Sequence, residues 1–161
     1  SQMPAHKVAL GLAFYGYDWN TTSGPVRSLR YPQAVELSDR YQVPIARDAE
    51  TQSATFRYRA PAGDPPPAPS GLPPLQHQIT ERKPPPCSVA PPPPGPTPTP
   101  RPIPPPDAIQ DHVVWIEDGI AAATRLTIAD RYQTAGIATW RLGQEDPRVW
   151  AALREWKGIR Q

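Results

Sequence analysis

The chain has 161 residues, with 17 basic and 15 acidic side chains and a formal net charge of +2. Charge so close to balance, with no basic patch interleaved with aromatic residues, gives no reason to expect nucleic acid as a partner. No run approaches the roughly 20 apolar residues of a membrane span, and no basic-then-apolar signal segment occurs. Cys87 is the only cysteine and the three histidines are scattered, so no disulfide, metal site or cofactor is predicted.

Most prolines are concentrated in one segment in the middle of the chain. Of 26 prolines, 21 lie between Pro61 and Pro106, a segment poor in backbone donors and in apolar side chains. We therefore expect residues 61–110 to form a loop that is disordered or polyproline II, with folded parts at 1–60 and 111–161. These parts are long enough together for a small domain.

The first predicted element is the apolar run 8–14, which stops abruptly at residues 15–19, Tyr-Gly-Tyr-Asp-Trp. A run apolar on both faces is typical of a covered parallel strand, whose functional groups follow its carboxyl end. Aromatic rings cover the apolar face of a sugar while hydroxyls and carboxylates bond its rim, so the segment is a candidate sugar site. The alternative is a core strand followed by an aromatic-rich turn.

A helix and a second strand are predicted next. Pro32 suits the first turn of a helix, and Ala34, Leu37 and Tyr41 follow at the spacing of one helical face. Residues 54–59 then alternate small or aromatic with polar side chains, which is the period of a half-buried strand.

A matching strand, residues 112–116, follows the proline-rich segment. If it pairs antiparallel with residues 54–59, the proline-rich segment is an enlarged hairpin tip. Such a long loop is tolerated, because each doubling of its length costs only about 0.6 kcal/mol. Its PxxP spacing allows a second interpretation, a ligand for SH3 or WW-type partners, which would make the chain an interaction protein.

The remaining residues predict helix, strand and helix. Glu117 and Asp118 suit a helix amino terminus, and Gly136 is predicted to end that helix and to start the strand 137–140. Asp146 and Pro147 then begin the last helix. The apolar faces of the two helices are formed by Ala122, Leu126 and Ala129, and by Val149, Trp150, Leu153 and Trp156. The predicted fold class is α/β, with two parallel strands that bracket a smaller inserted αβ element.

Three short blocks follow one another along the chain: residues 7–19 (KVALGLAFYGYDW), 112–118 (HVVWIED) and 136–143 (GIATWRLG). Together they resemble successive blocks of glycoside hydrolase family 18. The likeness is to its spore-germination and peptidoglycan-processing branch, where Tyr-Gly-Tyr-Asp-Trp and Val-Trp-Phe-Glu-Asp blocks are typical. The matching regions cover about residues 4–60 and 111–157.

The resemblance implies a (β/α)8 TIM barrel, of which this chain holds the seventh and eighth strands with their helices. Residues 1–60 would be the seventh strand and the start of a small α+β insertion that carries the proline-rich loop 61–110. Residues 111–161 would be the end of the insertion, the seventh helix, the eighth strand and the C-terminal helix. The implied partners are an N-acetylglucosamine-containing polysaccharide, peptidoglycan or chitin, and the missing N-terminal part of the same barrel. The implied location is extracellular or the cell envelope.

The resemblance also implies substrate-binding residues. Trp140 would stack on the ring of the N-acetylated sugar, and Tyr15, Tyr17 and Asp18 would line a wall at the end of the seventh strand. The alternative for Trp140 is an ordinary aromatic residue that fills the barrel. Ala13 departs from the family pattern, which usually has proline at this position.

The catalytic residue of the family is absent from this sequence. In the family the substrate's own acetamide attacks the anomeric carbon while one glutamic acid protonates the leaving oxygen. That glutamic acid ends an Asp-x-x-Asp-x-Asp-x-Glu motif, a spacing that occurs nowhere here. The adjacent carboxylates Glu117 and Asp118, like Glu145 and Asp146, are better explained by helix amino termini.

We therefore predict a part of a glycoside hydrolase that supplies sugar-binding residues without the catalytic acid, so that the isolated chain is inactive. The alternative is a non-catalytic carbohydrate- or cell-wall-binding module, because the same aromatic side chains bind sugar without an acid. The opening residues, Ser1-Gln2-Met3-Pro4, lack an ordinary initiator context and favour a piece of a longer polypeptide.

Overall fold

The computed structural model describes residues 3–67 and 103–159 of the chain. Cys87 and most of the proline-rich segment lie outside these ranges, so the polyproline II and SH3-ligand interpretations stay predictions. The described residues form an α/β structure with a two-stranded and a five-stranded sheet.

The strands are β1 (Ala9–Ala13), β2 (Gly16–Asn20), β3 (Val26–Leu29), β4 (Ala46–Arg47), β5 (Ala54–Pro61), β6 (Ile109–Ile116) and β7 (Gly136–Trp140). The helices are α1 (Tyr31–Arg40), α2 (Gly119–Arg131) and α3 (Val149–Ile159), and a 3-10 turn at Ala5–Lys7 precedes β1. Strands β1 and β7 form the smaller sheet, and the larger one has the order β3-β2-β6-β5-β4.

The smaller sheet is a parallel pair. Ala9 lies opposite Gly136 and Ala13 opposite Trp140, so the two strands end at the same edge. Helices α2 and α3 pack against this pair. Their shared core contains Leu12, Phe14, Ala122, Leu126 and Val149. The predicted parallel strands with an αβ element inserted between them are confirmed.

The centre of the larger sheet is the antiparallel pair of β5 and β6. The predicted pairing is confirmed, and it is longer than expected, from Ala54 opposite Ile116 to Pro61 opposite Ile109. Every second residue of β5 is buried, in agreement with its sequence period. This buried face carries the core of the inserted element, which includes Leu29, Phe56, Tyr58, Val114 and Ile116.

Helix α1 covers that face of the sheet. It has Pro32 in its first turn, as predicted, and its side chains Ala34 and Leu37 are fully buried. Tyr41 caps the helix and stacks on Tyr58 of β5, with 4.5 Å between the ring centroids. The amphipathic face read from the sequence is therefore the face that forms the core.

Strand β2 was not predicted. The residues after the first strand were expected to form a candidate sugar site or an aromatic-rich turn, but residues 16–20 form a strand between β3 and β6. Gly16 allows this close approach, because a Cβ at this position would lie 2.2 Å from the carbonyl oxygen of Trp115. Tyr17 and Trp19 thus alternate with Gly16 and Asp18 on the two faces of the sheet.

The start of α2 is fixed by Asp118, in agreement with the prediction. Its Oδ1 accepts a hydrogen bond from the backbone N–H of Ala121 at 2.9 Å, which makes it the N-cap. The same carboxylate accepts two hydrogen bonds from Arg47, at 3.0 and 2.5 Å. Burial by itself raises the pKa of Asp118, but the hydrogen bonds from Arg47 and Ala121 outweigh it and hold the pKa below its usual value. Glu117 does not cap the helix and instead accepts from Ser53 Oγ at 2.6 Å.

The end of α2 differs from the prediction. The helix stops at Arg131, and Gln133 takes a left-handed conformation with φ 49°. Gly136 does not terminate the helix and is the first residue of β7. A polar side chain in the left-handed region thus replaces the glycine that the sequence suggested.

Replacing Asp118 with alanine is expected to lower the free energy of unfolding by about 2 kcal/mol. The helix cap alone is worth about 1 kcal/mol, and the remainder comes from Arg47, which loses its partner. Urea unfolding of the full-length protein checks the value. Asp107→Ala, an exposed aspartate in the loop before β6, is the matched control and should change stability very little. Equal losses in the two variants would contradict the assignment of Asp118 as the N-cap.

No described helix is both long enough and apolar enough to cross a bilayer.

Candidate functional site

Trp140 lies at the edge where β1 and β7 both end. The backbone N–H of Phe14 donates to the carbonyl oxygen of Trp140 at 2.7 Å, which ties the ends of the two strands together. The Trp140 side chain is 70% exposed. Tyr15 follows Phe14 directly, so the parallel pairing places both predicted residues, Trp140 and Tyr15, at the same edge.

A row of aromatic side chains leads away from this edge, and we call Tyr15, Tyr17 and Trp19 the aromatic wall. The rings of Tyr15 and Tyr17 meet edge to face with their centroids 5.6 Å apart. Those of Tyr17 and Trp19 are tilted and 5.9 Å apart. Tyr17 is 40% and Trp19 45% exposed, so apolar ring surface is open to a ligand.

Two members of this surface were not among the predicted site residues. Trp19 stands in the predicted block, and the strand period that places it beside Tyr17 was the available signal. Trp115 of β6 lies opposite Tyr17 in the sheet register, and directly opposed residues share a face. Only the pairing of β2 with β6 brings Trp115 to this surface.

Asp18 does not belong to the aromatic wall, so the expectation that it lines the wall with Tyr15 and Tyr17 is not met. It points to the other face of β2 and is 1% exposed. Its carboxylate accepts hydrogen bonds from Arg27 Nη2 at 2.6 Å, Tyr58 Oη at 2.8 Å and His112 Nδ1 at 2.8 Å. Successive side chains of a strand point to opposite faces, which is why Asp18 and Tyr17 are separated.

These contacts keep the Asp18 carboxylate ionised. Burial by itself raises its pKa, but the hydrogen bonds from His112, Arg27 and Tyr58 outweigh burial and hold the pKa below its usual value. Burial and the adjacent carboxylate also raise the pKa of Tyr58 far above that of an exposed tyrosine. The cluster therefore joins β2, β3, β5 and β6 through one buried charge.

The second pair of adjacent carboxylates serves the structure around α3. Asp146 Oδ2 accepts from the backbone N–H of Gly119 and from Arg148 Nε, both at 2.8 Å, which links the starts of α2 and α3. Glu145 Oε1 accepts from Trp150 Nε1 at 3.1 Å. Both side chains thus hold neighbouring elements in place.

The side chains at the edge of the parallel pair are of types that can bind a ligand. Within 3–67 and 103–159, no group of three or more His, Cys, Asp or Glu side chains is arranged to hold a metal ion. The rings of Trp140 and Tyr17 are exposed near the edge of the parallel pair, where Tyr15 is partly buried and Arg141 is also exposed. Aromatic rings stack on apolar ligand faces, and tyrosine hydroxyls form hydrogen bonds at their rims.

Two curated relatives of this chain bear the names of a glycosylase and of a lytic enzyme. No protein-family model matches the chain. The putative sporulation-specific glycosylase YdhD of Bacillus subtilis is 38% identical over 145 residues, which cover 88% of this chain and 24% of the relative. The cortical fragment-lytic enzyme of Bacillus subtilis is 23% identical over 159 residues, 96% of this chain and 26% of the relative.

A solved structure shares the fold. The chitinase of Chromobacterium violaceum superimposes with a TM-score of 0.59 at 23% identity, over 96% of this chain and 34% of that one. The resemblance to glycoside hydrolase family 18 is thus confirmed, and the chain is homologous to a region of these glycosidases. It spans about a quarter of the length of the curated relatives it matches.

Proposed function

We propose that the chain is the C-terminal part of a family 18 glycoside hydrolase domain that cleaves β-linked N-acetylglucosamine polymers. The observation that carries the proposal is the exposed Trp140 at the end of β7, at the same edge as Tyr15 of the aromatic wall. This edge is where a parallel αβ fold carries its functional groups.

The side chains at this edge bind and orient the sugar. Trp140 stacks on the face of the N-acetylated ring, and Tyr15 and Tyr17 cover its side. This orientation brings the acetamide oxygen of the substrate within reach of the anomeric carbon. The bond to the leaving oxygen then breaks as a glutamic acid, supplied by another part of the enzyme, donates its proton to that oxygen.

The proposed partner of this chain is the remainder of its own barrel. Strands β1 and β7 would be the seventh and eighth barrel strands, and two strands cannot close a barrel. The N-terminal part of the domain would pair with them and bring the Asp-x-x-Asp-x-Asp-x-Glu motif to the same edge. This arrangement explains how a chain without the catalytic acid contributes to hydrolysis.

The sequence variant favours peptidoglycan over chitin as the substrate. The Tyr-Gly-Tyr-Asp-Trp block at residues 15–19 is typical of the peptidoglycan-processing branch. The relatives are a sporulation-specific glycosylase and a cortical fragment-lytic enzyme, which agrees with this choice. A polymer of this kind places the enzyme outside the cell membrane or in the cell envelope.

The full-length protein is expected to release reducing ends from purified peptidoglycan, whereas residues 1–161 alone should release none. The short form should also aggregate, because its parallel pair has unpaired strand edges without the rest of the barrel. Reducing-end assays and light scattering on both forms measure these two properties. The control is the full-length protein with glutamine in place of the glutamic acid of its Asp-x-x-Asp-x-Asp-x-Glu motif.

A soluble monomer of residues 1–161 with a cooperative thermal transition would contradict the expected instability. If the full-length protein bound peptidoglycan without cleaving it and lacked the acidic motif upstream of Ser1, the chain would instead belong to a carbohydrate-binding module. That function uses the same aromatic side chains and requires no acid.

A further inference from the structure

Among the described residues, nothing covers the face of the larger sheet that carries Tyr17 and Trp19, which we call the open face. Helix α1 packs on the opposite face, and helices α2 and α3 pack against the parallel pair. On the open face Tyr17 is 40%, Trp19 45% and Val26 46% exposed. A cluster of exposed apolar side chains on a folded chain indicates a binding surface.

The strand register adds a cation to the open face. In the pairing of β5 with β6, Thr55 lies opposite Trp115 and Arg57 opposite Val113, so Arg57 is a diagonal neighbour of Trp115. Diagonal neighbours share a face and are about 7–8 Å apart, within reach of an arginine and an indole. Arg57 is exposed, and the residues on either side of it in β5 are buried in the core. Arg57 and Trp115 therefore lie together on the open face.

Arg57 forms no ion pair within residues 3–67 and 103–159. Its other diagonal neighbour, Asp111, already pairs with Arg59 at 3.2 Å. In the described strands of this sheet, the register places only these two arginines and this aspartate, of all charged residues, on the open face. The face consequently carries a net positive charge. A carboxylate of a ligand is attracted to it, and the guanidinium of Arg57 is of the shape that binds both oxygens of a carboxylate.

Aromatic side chains and an uncompensated arginine on one surface favour a ligand with two chemical features. Aromatic rings stack on the apolar faces of sugar rings, whether or not the polymer is charged. The arginine adds a preference for a polymer that also carries carboxylates. A glycan strand with acidic peptides attached, as in peptidoglycan, has both features, whereas chitin has no carboxylate.

We propose that the open face binds a carboxylate-bearing stretch of the glycan strand and thereby determines a preference for peptidoglycan over chitin. Sugar rings stack on Tyr17, Trp19 and Trp115, and a carboxylate of an attached peptide accepts hydrogen bonds from Arg57. Tyr17 is also part of the aromatic wall, so the same strand continues from the open face towards Trp140. The inference rests on the proposed function and adds to it the residue that recognises the acidic substituent.

The test measures binding of the full-length protein to three insoluble polymers. These are peptidoglycan, the same peptidoglycan after its carboxylates have been converted to amides, and chitin. Co-sedimentation on ice gives the affinities, and reducing-end release from the same polymers measures cleavage separately. The parent should bind intact peptidoglycan about fivefold more tightly than the amidated form, which is the upper end of the effect of one exposed ion pair.

The central variant is Arg57→Gln, which removes the charge and keeps an exposed polar side chain. Its affinity for intact peptidoglycan should fall about fivefold, to the parental value for the amidated polymer. Its affinity for amidated peptidoglycan and for chitin should stay parental. Arg57→Lys keeps the charge without the planar fork and should be intermediate. The matched control is Arg154→Gln, an exposed arginine on α3 that should bind all three polymers as the parent does.

The aromatic part of the open face is tested with Trp19→Ala. Stacking on an indole does not depend on the charge of the polymer, so binding to all three polymers should weaken by a similar factor, about tenfold. This pattern differs from that of Arg57→Gln, which affects only the polymer with carboxylates. Thermal melting confirms that each variant is folded.

The proposal is overturned if amidation does not change binding by the parent, or if Arg57→Gln binds intact peptidoglycan as tightly as the parent. It is also overturned if Arg154→Gln weakens binding as much as Arg57→Gln, or if Trp19→Ala binds as the parent does. Cleavage decides the proposed function separately. Binding that depends on Arg57, without release of reducing ends, would contradict the proposed hydrolysis and leave the open face as a binding surface. Cleavage of peptidoglycan with binding that does not depend on Arg57 would do the reverse.

Discussion

Replacing Trp140 with alanine in the full-length protein is expected to lower kcat/KM for peptidoglycan cleavage by about 10- to 100-fold. The indole would cover the face of one sugar ring, and burying an aromatic side chain of this kind is worth about 1.5–3 kcal/mol, with 1.4 kcal/mol for each factor of ten. Reducing-end kinetics over a range of substrate concentrations give the value. Trp140→Phe keeps a flat ring and should recover part of the loss.

The matched control for this substitution is Tyr132→Ala. Tyr132 is also an exposed aromatic side chain, with 62% of its surface accessible, but it lies at the end of α2. Its removal should leave kcat/KM unchanged. Equal losses of activity in the Tyr132 and Trp140 variants, or a Trp140 variant with parental kinetics, would remove the support for a sugar site at this edge.

Replacing Asp18 with asparagine is expected to lower the free energy of unfolding by about 3 kcal/mol at neutral pH. Removal of one partner of a buried charged cluster typically costs about 3–5 kcal/mol, and the lower end applies because Arg27 is 37% exposed. His112 and Tyr58 also lose the charged acceptor of their hydrogen bonds. Urea unfolding of the full-length protein measures the change.

Asp111→Asn is the control for the Asp18 substitution. Asp111 forms an ion pair with Arg59 at 3.2 Å, but both side chains are more than half exposed. Exposed pairs contribute about 0–1 kcal/mol, so this variant should be close to the parent in stability. If the two asparagine variants were equally stable, the buried cluster would not be what joins the strands of the larger sheet.

The same cluster sets the pH dependence of stability. The pKa of Asp18 is lower in the folded chain than its ordinary value of 3.8, so the unfolded chain takes up the proton first as the pH falls. The contribution of Asp18 to the free energy of unfolding is complete when the pH lies above its ordinary pKa. This contribution is lost as the pH falls through the pKa that Asp18 has in the folded chain. Stability should therefore decline more steeply below about pH 4 in the parent than in Asp18→Asn. Identical slopes in the two proteins would contradict this assignment.

The local sequence pattern was sufficient to predict those helices and strands that depend on residues close together in the chain. In α1, Pro32 and the spacing of Ala34 and Leu37 specify the start and the buried face of the helix. In β5, buried and more exposed side chains alternate at the strand period, and the predicted pairing of this strand with β6 across the proline-rich segment is confirmed. Trp140 was placed at the end of its strand by the same kind of reasoning, supported by the family resemblance.

Only part of the candidate site could be predicted from local sequence patterns. Tyr15 and Tyr17 are two residues apart and their contact follows from local spacing. Trp115 is almost 100 residues away in sequence from Tyr17, and no local pattern relates the two. Asp18 was grouped with the wrong neighbours because the apolar run before it concealed the start of β2.

By itself the sequence determined the α/β class, the bracketing parallel strands, the family resemblance and the aromatic edge, since periodicity and short motifs are local properties. The tertiary structure alone decided which face each residue of β2 occupies. It also brought Asp18 to Tyr58 and His112, 40 and 94 residues away along the chain. Strand register is set by packing between distant segments, and shifting a strand by one residue exchanges its faces. One strand consequently bears an aromatic surface on one side and a buried charge on the other.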